Sequence, residues 1–399
     1  MTALLGGLPA QEPDKIIRLM SMFAADKRPD KIDLGVGVYR TARGTTPVLA
    51  AVKAAERALL EEQQPKGYVA LSGDPAFHAA MAELVLGNVV PPDQIAALAT
   101  PGGTGAVRQG FEMAAHANPD LTLWLSAPTW PNHLAMAQAM SLPMRTYRYY
   151  DPSTGDIDPT AMLADLNTAK AGDVVLLHGC CHNPTGADMP IEVWDHVAEL
   201  CNLRGVLPMV DLAYQGFGLG VDADVAGLRR LAGAVPETMV AVSGSKNFGL
   251  YRDRVGILLA VCADAAAQTK VAGTMDWLNR LNYAFPPDHG ARVVTMILTD
   301  PDLRRLWETE LSDMRGRIAE MRVAIADELA RLTDADRFER LRHQSGMFSL
   351  LGATPDQVDR LRSDHGVYMV GDSRINLAGL TEAVIAPAAQ AIARVMGPR

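Results

Sequence analysis

The sequence predicts an α/β fold: a largely parallel sheet with helices on both faces, followed by a smaller second domain. In the middle of the chain, short apolar and β-branched runs alternate with stretches of helical periodicity, as in parallel sheets with helical crossovers. The predicted strands lie at 95–100, 121–125, 174–177, 206–210, 239–242 and 255–261. After about residue 290 the pattern changes to a long charged helix and a short α+β segment, which indicates the second domain.

Helical periodicity defines the elements around these strands. Ile16, Met20 and Phe23 fall on one face of a predicted amphipathic helix over 13–25. Pro190 opens the next clear helix, predicted over 190–203. In the second domain we expect a helix at 301–332, a strand at 346–351, and helices at 354–364 and 382–395.

The composition excludes several classes of function. The 399 residues carry 37 Lys and Arg against 46 Asp and Glu, a net charge of −9, so no basic surface is expected to attract nucleic acid. No run of 18 apolar residues and no secretory signal pattern occurs, which predicts a cytoplasmic protein that does not enter membranes. The four cysteines have no metal-binding spacing and are expected to be reduced, in or near a core.

A glycine-rich turn follows the first predicted strand. In 101–106, Pro-Gly-Gly-Thr-Gly-Ala, the glycines let the backbone approach an anion, and Thr104 adds a hydroxyl donor at the start of a helix. A dinucleotide fingerprint would need glycine at position 108, which is arginine. The turn therefore predicts a phosphate site rather than a nicotinamide site, although such turns are also found as plain tight turns.

A lysine lies among phosphate-binding residue types after the strand at 239–242. Ser243, Ser245 and Arg254 suit one phosphate group, and Lys246 lies between glycines that keep the approach open. A lysine beside a phosphate site is what a pyridoxal phosphate Schiff base requires. A lone lysine in this position is otherwise usually a solvated surface residue.

Asp211 ends another apolar strand. A pyridinium nitrogen would be a fixed partner for this carboxylate and would make the cofactor ring an electron sink. Taken alone, a helix-capping role for Asp211 is favoured.

Two further strand ends carry Trp130 and Asn183. Trp130 lies between prolines and offers a flat surface for stacking, and Asn183 precedes Pro184, which favours an extended residue with its amide presented to an oxygen ligand. His178 and His182 are not on a helix and have no acidic residue between them, so a metal site is not expected here.

These motifs resemble the fold-type I aminotransferases that use pyridoxal 5′-phosphate. The resemblance rests on Asn-Pro-Thr-Gly at 183–186, Asp-x-Ala-Tyr at 211–214, Ser-x-Ser-Lys-Asn at 243–247 and Ser-Arg-Ile-Asn at 373–376. It extends from 33–39 through 130–133 and 178–183 to 346–349. The chain is most similar to the aspartate and aromatic amino-acid subgroup, and within it to the bacterial aromatic (tyrosine) aminotransferases.

The resemblance implies a role for each matching residue. Lys246 would bind the cofactor covalently, Asp211 would pair with the ring nitrogen, Tyr214 and Asn183 would bind the ring oxygen, and Trp130 would stack on the ring. The cofactor-binding set would be completed by Gly103, Thr104, Ser243, Ser245, Arg254 and, from a second subunit, Tyr68. Substrate would meet Arg374 at its α-carboxylate, Arg280 from the other subunit at a distal carboxylate, and Gly37, Trp130, Asn183 and Phe348. His133 and His178 would lie near Asp211.

The resemblance also implies an architecture. We expect a seven-stranded, mostly parallel sheet in a large cofactor domain over 47–313, a small domain from 14–46 and 314–399, and an N-terminal arm over 1–13. A homodimer with shared active sites is expected, because Tyr68 and Arg280 would complete the neighbour's site.

The implied activity is ping-pong transamination of aromatic amino acids (Tyr, Phe, Trp) and of aspartate or glutamate, with 2-oxoglutarate as acceptor. Phe285 stands near Arg280 where aspartate-specific members usually carry a small polar residue, while Arg40, Thr46 and Thr104 fit the aspartate pattern. A dedicated aspartate aminotransferase is therefore the alternative. Two other hypotheses are a β-elimination or decarboxylation enzyme, which would not need two carboxylate-binding arginines, and a non-catalytic amino-acid sensor.

Overall fold

The computed structural model describes residues 4–10, 14–333 and 336–397. The helices, in chain order, are α1 Lys15–Ala25, α2 Ala50–Glu62, α3 Pro75–Leu86, α4 Gly102–Ala117, α5 Pro131–Ala139, α6 Pro159–Leu166, α7 Ile191–Arg204, α8 Ala226–Ala234, α9 Ala265–Asn282, α10 His289–Thr299, α11 Pro301–Thr333, α12 Arg340–His343, α13 Pro355–His365 and α14 Glu382–Met396. The strands are β1 Ile32–Asp33, β2 Ile95–Pro101, β3 Leu123–Ala127, β4 Met144–Arg148, β5 Tyr150–Asp151, β6 Asp156–Ile157, β7 Val174–His178, β8 Leu207–Leu212, β9 Thr238–Ser243, β10 Val255–Val261, β11 Phe348–Leu350, β12 Val367–Tyr368 and β13 Arg374–Asn376.

The central sheet has seven strands in the order β2-β10-β9-β8-β7-β3-β4. Only β10 runs antiparallel to its neighbours, β2 and β9, so the expected seven-stranded, mostly parallel sheet is confirmed. Strands β7, β9 and β10 are buried along their whole length. Their continuous apolar runs follow from helices that cover both faces of the sheet.

The strands and helices lie close to the predicted positions, with shifts of a few residues. Strand β3 begins two residues later than expected, and β11 is shorter than the predicted 346–351. Helix α11 ends one residue later than predicted. Residue 13, the predicted start of the first helix, lies outside the described residues, and the described helix begins at Lys15 after an Asp14 cap that accepts the N–H groups of Ile16 and Ile17.

Strand β4, at the edge of the central sheet, was not predicted. Its sequence, Met-Arg-Thr-Tyr-Arg, exposes four of five residues, and only Tyr147 is buried. An edge strand with so little apolar content gives no alternation signal. It nevertheless pairs in parallel with β3 from Leu123–Met144 to Ala127–Arg148.

Buried apolar residues form separate clusters. Two clusters lie around the central sheet, and a third combines Ile32 and Leu34 with residues between 321 and 396. Helix α11 contributes to both regions: Trp307 and Leu311 pack in the sheet region, and Leu329 packs in the third cluster. The division into a large and a small domain, with its boundaries, stays a prediction.

Candidate active site

The carboxyl ends of the parallel strands surround one cavity. Because β2, β3, β7, β8 and β9 run in the same direction, the loops that follow them meet at one edge of the sheet. The cavity at this edge has a volume of about 260 Å³. It is lined by these residues predicted from the sequence: Gly37, Gly103, Thr104, Trp130, Asn183, Asp211, Tyr214, Ser243, Ser245, Lys246, Arg254, Phe348 and Arg374.

One end of the cavity is built to admit an anion. Helix α4 begins at Gly102, whose φ of +73° favours glycine, and a Cβ at Gly103 would lie 2.7 Å from Cβ of Ser243. The first turn of α4 therefore stays open, with its N–H groups beside the hydroxyls of Ser243 and Ser245. The Arg254 guanidinium donates to Oγ of Ser245 at 3.2 Å.

The antiparallel course of β10 explains why Arg254 lies here. Gly256 of β10 pairs with Ser243 of β9, so the residue that precedes β10 lies at the same sheet edge as the ends of the parallel strands. Arg254 has a φ of +56°, which is uncommon for a residue other than glycine. No described carboxylate lies within ion-pair distance of this guanidinium, which leaves its charge available to a bound anion.

Asp211 lies inside β8 and does not cap a helix, so the capping role that the sequence alone favoured is wrong. The chain turns after Leu212, and the next α-helix begins only at Ala226. Instead, Oδ2 of Asp211 lies 2.9 Å from Nε2 of His133. Burial acts to raise the pKa of Asp211, but the hydrogen bond with His133 and the charge of Lys246 together hold the pKa below its ordinary value.

A chain of hydrogen bonds extends away from Asp211. Nδ1 of His133 lies 2.9 Å from Oγ1 of Thr129, which lies 3.0 Å from Nε2 of His178. Burial first, and His133 second, lower the pKa of His178 to about 3, so this ring is neutral at physiological pH. Both histidines lie near Asp211, as the resemblance implied: His133 contacts the carboxylate directly, and His178 is linked to it through Thr129 and His133.

Lys246 lies in the loop that follows β9, and its Nζ is 4.9 Å from the centre of the Tyr214 ring. Burial lowers the pKa of Lys246 to about 8; the charge of Asp211 acts to raise it, and Arg254 and Arg374 lower it further. About one tenth of this amine is therefore uncharged at pH 7, and about half at pH 8, far more than for a lysine with an ordinary pKa. An uncharged amine is able to act as a nucleophile or as a base.

Arg374 lies on β13 and is 4% exposed. Its Nη1 donates to Oδ1 of Asn183 at 3.1 Å, its Nη2 donates to the Gly35 carbonyl at 3.3 Å, and its guanidinium lies 4.2 Å from the centre of the Phe348 ring. Among the described residues, its buried Nε has no hydrogen-bond partner and no carboxylate lies within ion-pair distance of its guanidinium. A buried guanidinium with unused donors is suited to a carboxylate ligand.

Tyr68 and Arg280 do not line this cavity. Tyr68 is 87% exposed and stacks on Phe285, with ring centres 4.6 Å apart. Arg280, near the end of α9, is exposed and lies 6.0 Å from the centre of the same Phe285 ring. Tyr68 and Arg280 thus lie exposed on either side of the half-buried Phe285 ring, outside the cavity lining.

Four residues of the cavity lining were not predicted: Ile16, Cys180, Ala213 and Tyr251. Ala213 and Cys180 lie within motifs recognised in the sequence. Ile16 lies on α1, and periodicity alone does not show where α1 packs. Tyr251 follows the Lys246 motif, and its hydroxyl accepts the N–H of Tyr39 at 3.3 Å. Its nearness to Lys246 in the sequence was the available signal.

All four cysteines are buried and unbonded. Among the described residues, the ligand atoms of Cys180, Cys181 and Asp224 lie within 4.8 Å of one another. Asp224 already accepts backbone N–H groups from residues within 216–220. A hydrogen bond with Cys180 acts to lower the pKa of Cys181, but burial and the charges of Asp188 and Asp224 together raise this pKa to about 11. Protonated thiols beside a satisfied carboxylate are poor metal ligands.

Comparison with known proteins identifies the class. An aromatic-amino-acid aminotransferase of Paracoccus denitrificans is 52% identical over 98% of this chain and 100% of that protein. An aspartate aminotransferase of Salmonella typhi is 44% identical over 98% of this chain and 99% of that protein. A solved structure of an aromatic amino acid aminotransferase with 3-indolebutyric acid superposes with a TM-score of 0.96, at 52% identity, over 98% of this chain and 100% of that one.

The fold and the cavity therefore define a transferase of the pyridoxal-phosphate-dependent fold type I. Residues 29–392 match the family described as aminotransferase class I and II, and the chain belongs to that family. It is an aminotransferase, and its cofactor is pyridoxal 5′-phosphate. An aromatic-amino-acid aminotransferase from Burkholderia pseudomallei, solved covalently bound to pyridoxal phosphate, superposes with a TM-score of 0.95 at 37% identity, covering 99% of this chain and 100% of that one.

Proposed function

We propose that this chain transaminates both aromatic amino acids and aspartate or glutamate by a ping-pong mechanism, with 2-oxoglutarate as amino acceptor. The observation that carries the proposal is the joint presence, in one cavity, of the buried amine of Lys246 and the unpaired, buried guanidinium of Arg374. The names of the similar proteins, which include aromatic-amino-acid and aspartate aminotransferases at comparable coverage, support both substrate classes.

The residues of the cavity fit pyridoxal phosphate. Its phosphate suits the open first turn of α4 at Gly103 and Thr104, where a side chain at position 103 would fill the space, together with the donors Ser243, Ser245 and Arg254. Asp211, held ionised by its surroundings, suits the ring nitrogen. We assign Tyr214 and Asn183 to the ring oxygen and Trp130 to the ring face.

When bound, pyridoxal phosphate supplies a carbonyl that bonds to amines and a ring that withdraws electrons from the substrate Cα. Lys246 supplies the amine that bonds to the cofactor and, once displaced by the substrate amine, takes up the Cα proton at Nζ. The lowered pKa of Lys246 keeps Nζ able to accept that proton. Asp211 holds a proton at the ring nitrogen, and His133 fixes its orientation.

Arg374 is assigned to the α-carboxylate of the substrate. Its planar guanidinium offers paired donors, which fix a carboxylate in one orientation and therefore direct the Cα–H bond. Asn183 holds one end of the guanidinium and Phe348 covers its face. Gly37 lets the Phe348 ring pack closely against the backbone in the cavity wall, because a Cβ at position 37 would lie 2.9 Å from that ring.

We further propose a homodimer with shared active sites. Tyr68 and Arg280 lie outside the cavity of their own chain and are exposed. In a dimer, Tyr68 would reach the partner's cofactor phosphate, and Arg280 would bind the distal carboxylate of an acidic substrate. The domain division at 47–313 against 14–46 and 314–399, and a cytoplasmic location, belong to the same proposal. No helix among the described residues has the length and apolarity needed to cross a bilayer.

The test of the proposed function is the half-reaction of the purified holoenzyme. Aspartate, glutamate, tyrosine and phenylalanine are added separately, without an acceptor, and the absorbance band of the Lys246-bound cofactor is followed. Loss of the band with both acidic and aromatic donors is the expected result. Conversion by the acidic donors alone would mean a dedicated aspartate aminotransferase, and no conversion by any donor would overturn the proposal.

A further inference from the structure

Asp188 lies outside the cavity and holds the turn that carries Asn183. The residue is half-buried, and each of its carboxylate oxygens accepts one backbone N–H group. Oδ2 accepts from Cys181 at 2.9 Å, and Oδ1 accepts from His182 at 2.8 Å. The carboxylate thus fixes two consecutive peptide groups immediately before Asn183.

The held turn is conformationally unusual. Cys181 has a φ of +51°, in the left-handed region that residues other than glycine seldom occupy. Such a residue persists only when its surroundings hold it in place. Two N–H groups bound to one ionised carboxylate are strong enough to hold it. A change at Asp188 is therefore transmitted to Asn183, the residue that follows Cys181 and His182 in the chain.

Asn183 connects this turn with the substrate side of the cavity. Its Oδ1 accepts a hydrogen bond from Nη1 of Arg374 at 3.1 Å, and the residue is 5% exposed. The turn also contacts the small-domain segment before β11, because Gly186 accepts the N–H of Ser345 at 2.7 Å. The turn thus lies between the carboxylate of Asp188 on one side and Arg374 and Ser345 on the other.

We propose that Asp188 is a positioning residue that, through the N–H groups of Cys181 and His182, aims the amide of Asn183 at Arg374 and the cofactor. This inference rests on the function proposed above, in which Asn183 contacts the cofactor. Asp188 touches neither cofactor nor substrate in this scheme. Its effect passes entirely through the backbone of the turn.

The hold requires an ionised carboxylate. A protonated carboxyl group presents a donor to one of the two N–H groups and loses that hydrogen bond. Burial raises the pKa of Asp188 to about 6; the two N–H groups lower it, nearby Asp224 raises it, and Arg322 lowers it. Among the remaining titratable neighbours, burial raises the pKa of Tyr149 and lowers that of His182, and the pKa values of Cys180 and Cys181 are raised, so each of these shifts favours the neutral form. The hold is therefore lost as the pH falls through about 6.

The experiment is a double-mutant cycle in the holoenzyme with Asp188→Asn and Asn183→Ala. The readouts are the equilibrium dissociation constant of pyridoxal phosphate and kcat/KM for aspartate. Each single variant is expected to raise the dissociation constant and to lower kcat/KM, each on the order of tenfold, which corresponds to the loss of one charged hydrogen bond. The double variant is expected to be no worse than Asn183→Ala alone. The control Asp195→Asn makes the same chemical change in α7, where Asp195 pairs with Arg230, and should leave both readouts unchanged.

A second measurement does not depend on the folding of the Asp188 variant. The dissociation constant of pyridoxal phosphate is measured from pH 5 to 8 in wild type and in Asn183→Ala. Wild type is expected to lose affinity through about pH 6 relative to Asn183→Ala, because only wild type has an Asn183 amide to misplace. Titration of the cofactor phosphate affects both proteins alike and cancels in the ratio.

The outcomes separate the two proposals. Additive losses in the double variant, or a pH-independent ratio between wild type and Asn183→Ala, would overturn the role of Asp188 and leave the proposed function intact. An Asn183→Ala variant with normal affinity and turnover would instead remove Asn183 from the cofactor contacts and overturn both assignments, while the half-reaction with amino acids still reports on transamination itself.

Discussion

At the residue scale, burial decides what each charged group is able to do. Exclusion of water lowers the pKa of the Lys246 amine, whereas the pKa of Asp211 stays below its ordinary value despite burial, because His133 and Lys246 compensate the carboxylate. Two enclosed groups of opposite type are thereby driven toward an uncharged base and an ionised carboxylate. Such divergent pKa values identify functional groups better than residue type alone.

The first prediction concerns Lys246→Ala. The variant should bind pyridoxal phosphate without a covalent bond and lose turnover by at least the contribution of a general base, on the order of 10²–10⁴-fold. Absorbance spectra of the purified variant and steady-state rates measure the two effects. Lys270→Ala, an exposed lysine on α9, is the matched control and should behave as wild type. Near-normal turnover in Lys246→Ala would remove this lysine from the chemistry.

The second prediction follows from the pKa of about 8 at Lys246. Only the free amine attacks the cofactor carbonyl, so the rate of covalent uptake of pyridoxal phosphate by apoenzyme should rise with pH and level off above about 8. Because the charge of Asp211 raises the lysine pKa, Asp211→Asn should move the midpoint to lower pH. Stopped-flow absorbance across pH 6–10 measures both profiles. An unchanged midpoint in Asp211→Asn would contradict the electrostatic coupling.

The third prediction tests whether Arg280 binds the distal carboxylate of an acidic substrate. Arg280→Ala should lower kcat/KM for aspartate on the order of 10- to 100-fold, the loss of a charged hydrogen-bonded pair, and should leave phenylalanine turnover largely intact. Arg305→Ala, which removes an exposed arginine on α11, serves as control. Equal losses for both substrates would assign Arg280 to something other than the distal carboxylate.

At the element scale, the sequence reveals the buried strands and misses what depends on pairing. Strands β7, β9 and β10 were predictable because continuous apolar runs are buried on both faces. The exposed edge strand β4 carries no such signal. The sequence of a single strand also does not show whether the strand pairs parallel or antiparallel with its neighbours. The antiparallel course of β10, which brings Arg254 to the cavity, therefore appears only in the structure.

The same distinction holds for the candidate site. Residues within compact motifs, such as Lys246 and Asp211, were predictable because the chemistry needs them at strand ends. Ile16 was not, because it reaches the cavity from the far N-terminal helix α1. Periodicity shows that α1 is amphipathic but does not show which surface its apolar face meets.

The fourth prediction tests the opening of α4. Gly103→Ala places a Cβ 2.7 Å from that of Ser243, where it occupies space assigned to the cofactor phosphate. Overpacking of this kind costs about 1–3 kcal/mol, and we expect it as weakened binding of pyridoxal phosphate measured by equilibrium titration. Gly273→Ala on α9 has open space around its new Cβ and should instead stabilise the fold by about 0.5–1 kcal/mol in thermal unfolding. Unaltered cofactor affinity in Gly103→Ala would show that the phosphate lies elsewhere.

At the scale of the whole molecule, α11 connects the two parts of the cavity. Its 33 residues span about 50 Å and pack in both the sheet region and the third apolar cluster. Arg322, buried on this helix, donates to the carbonyls of Gly346 and Phe348 at the start of β11. The sheet region, whose loop carries Lys246, and the third cluster, which contains Ile375 beside Arg374, are thus joined by one continuous helix.

The fifth prediction tests whether two copies of the chain share their sites. If Arg280 acts in the neighbour's cavity, Lys246→Ala and Arg280→Ala are defects of different cavities in a mixed dimer. One cavity of that dimer lacks both residues, and the other has Lys246 from one chain and Arg280 from the other. Random mixing gives half mixed dimers, each with one intact site, so aspartate activity should recover to about one quarter of wild type.

A second mixture, of Lys246→Ala with Arg374→Ala, is the control for that recovery of aspartate activity. Lys246→Ala mixed with Arg374→Ala should show no recovery beyond the sum of the parents, because Lys246 and Arg374 line the cavity of the same chain, and every mixed dimer then has a defect in each cavity. Gel filtration at micromolar concentration checks that the mixed species is a dimer. An active monomer, or recovery equal in both mixtures, would place Arg280 and Tyr68 outside the neighbouring site, and their exposure on the single chain would then need another explanation.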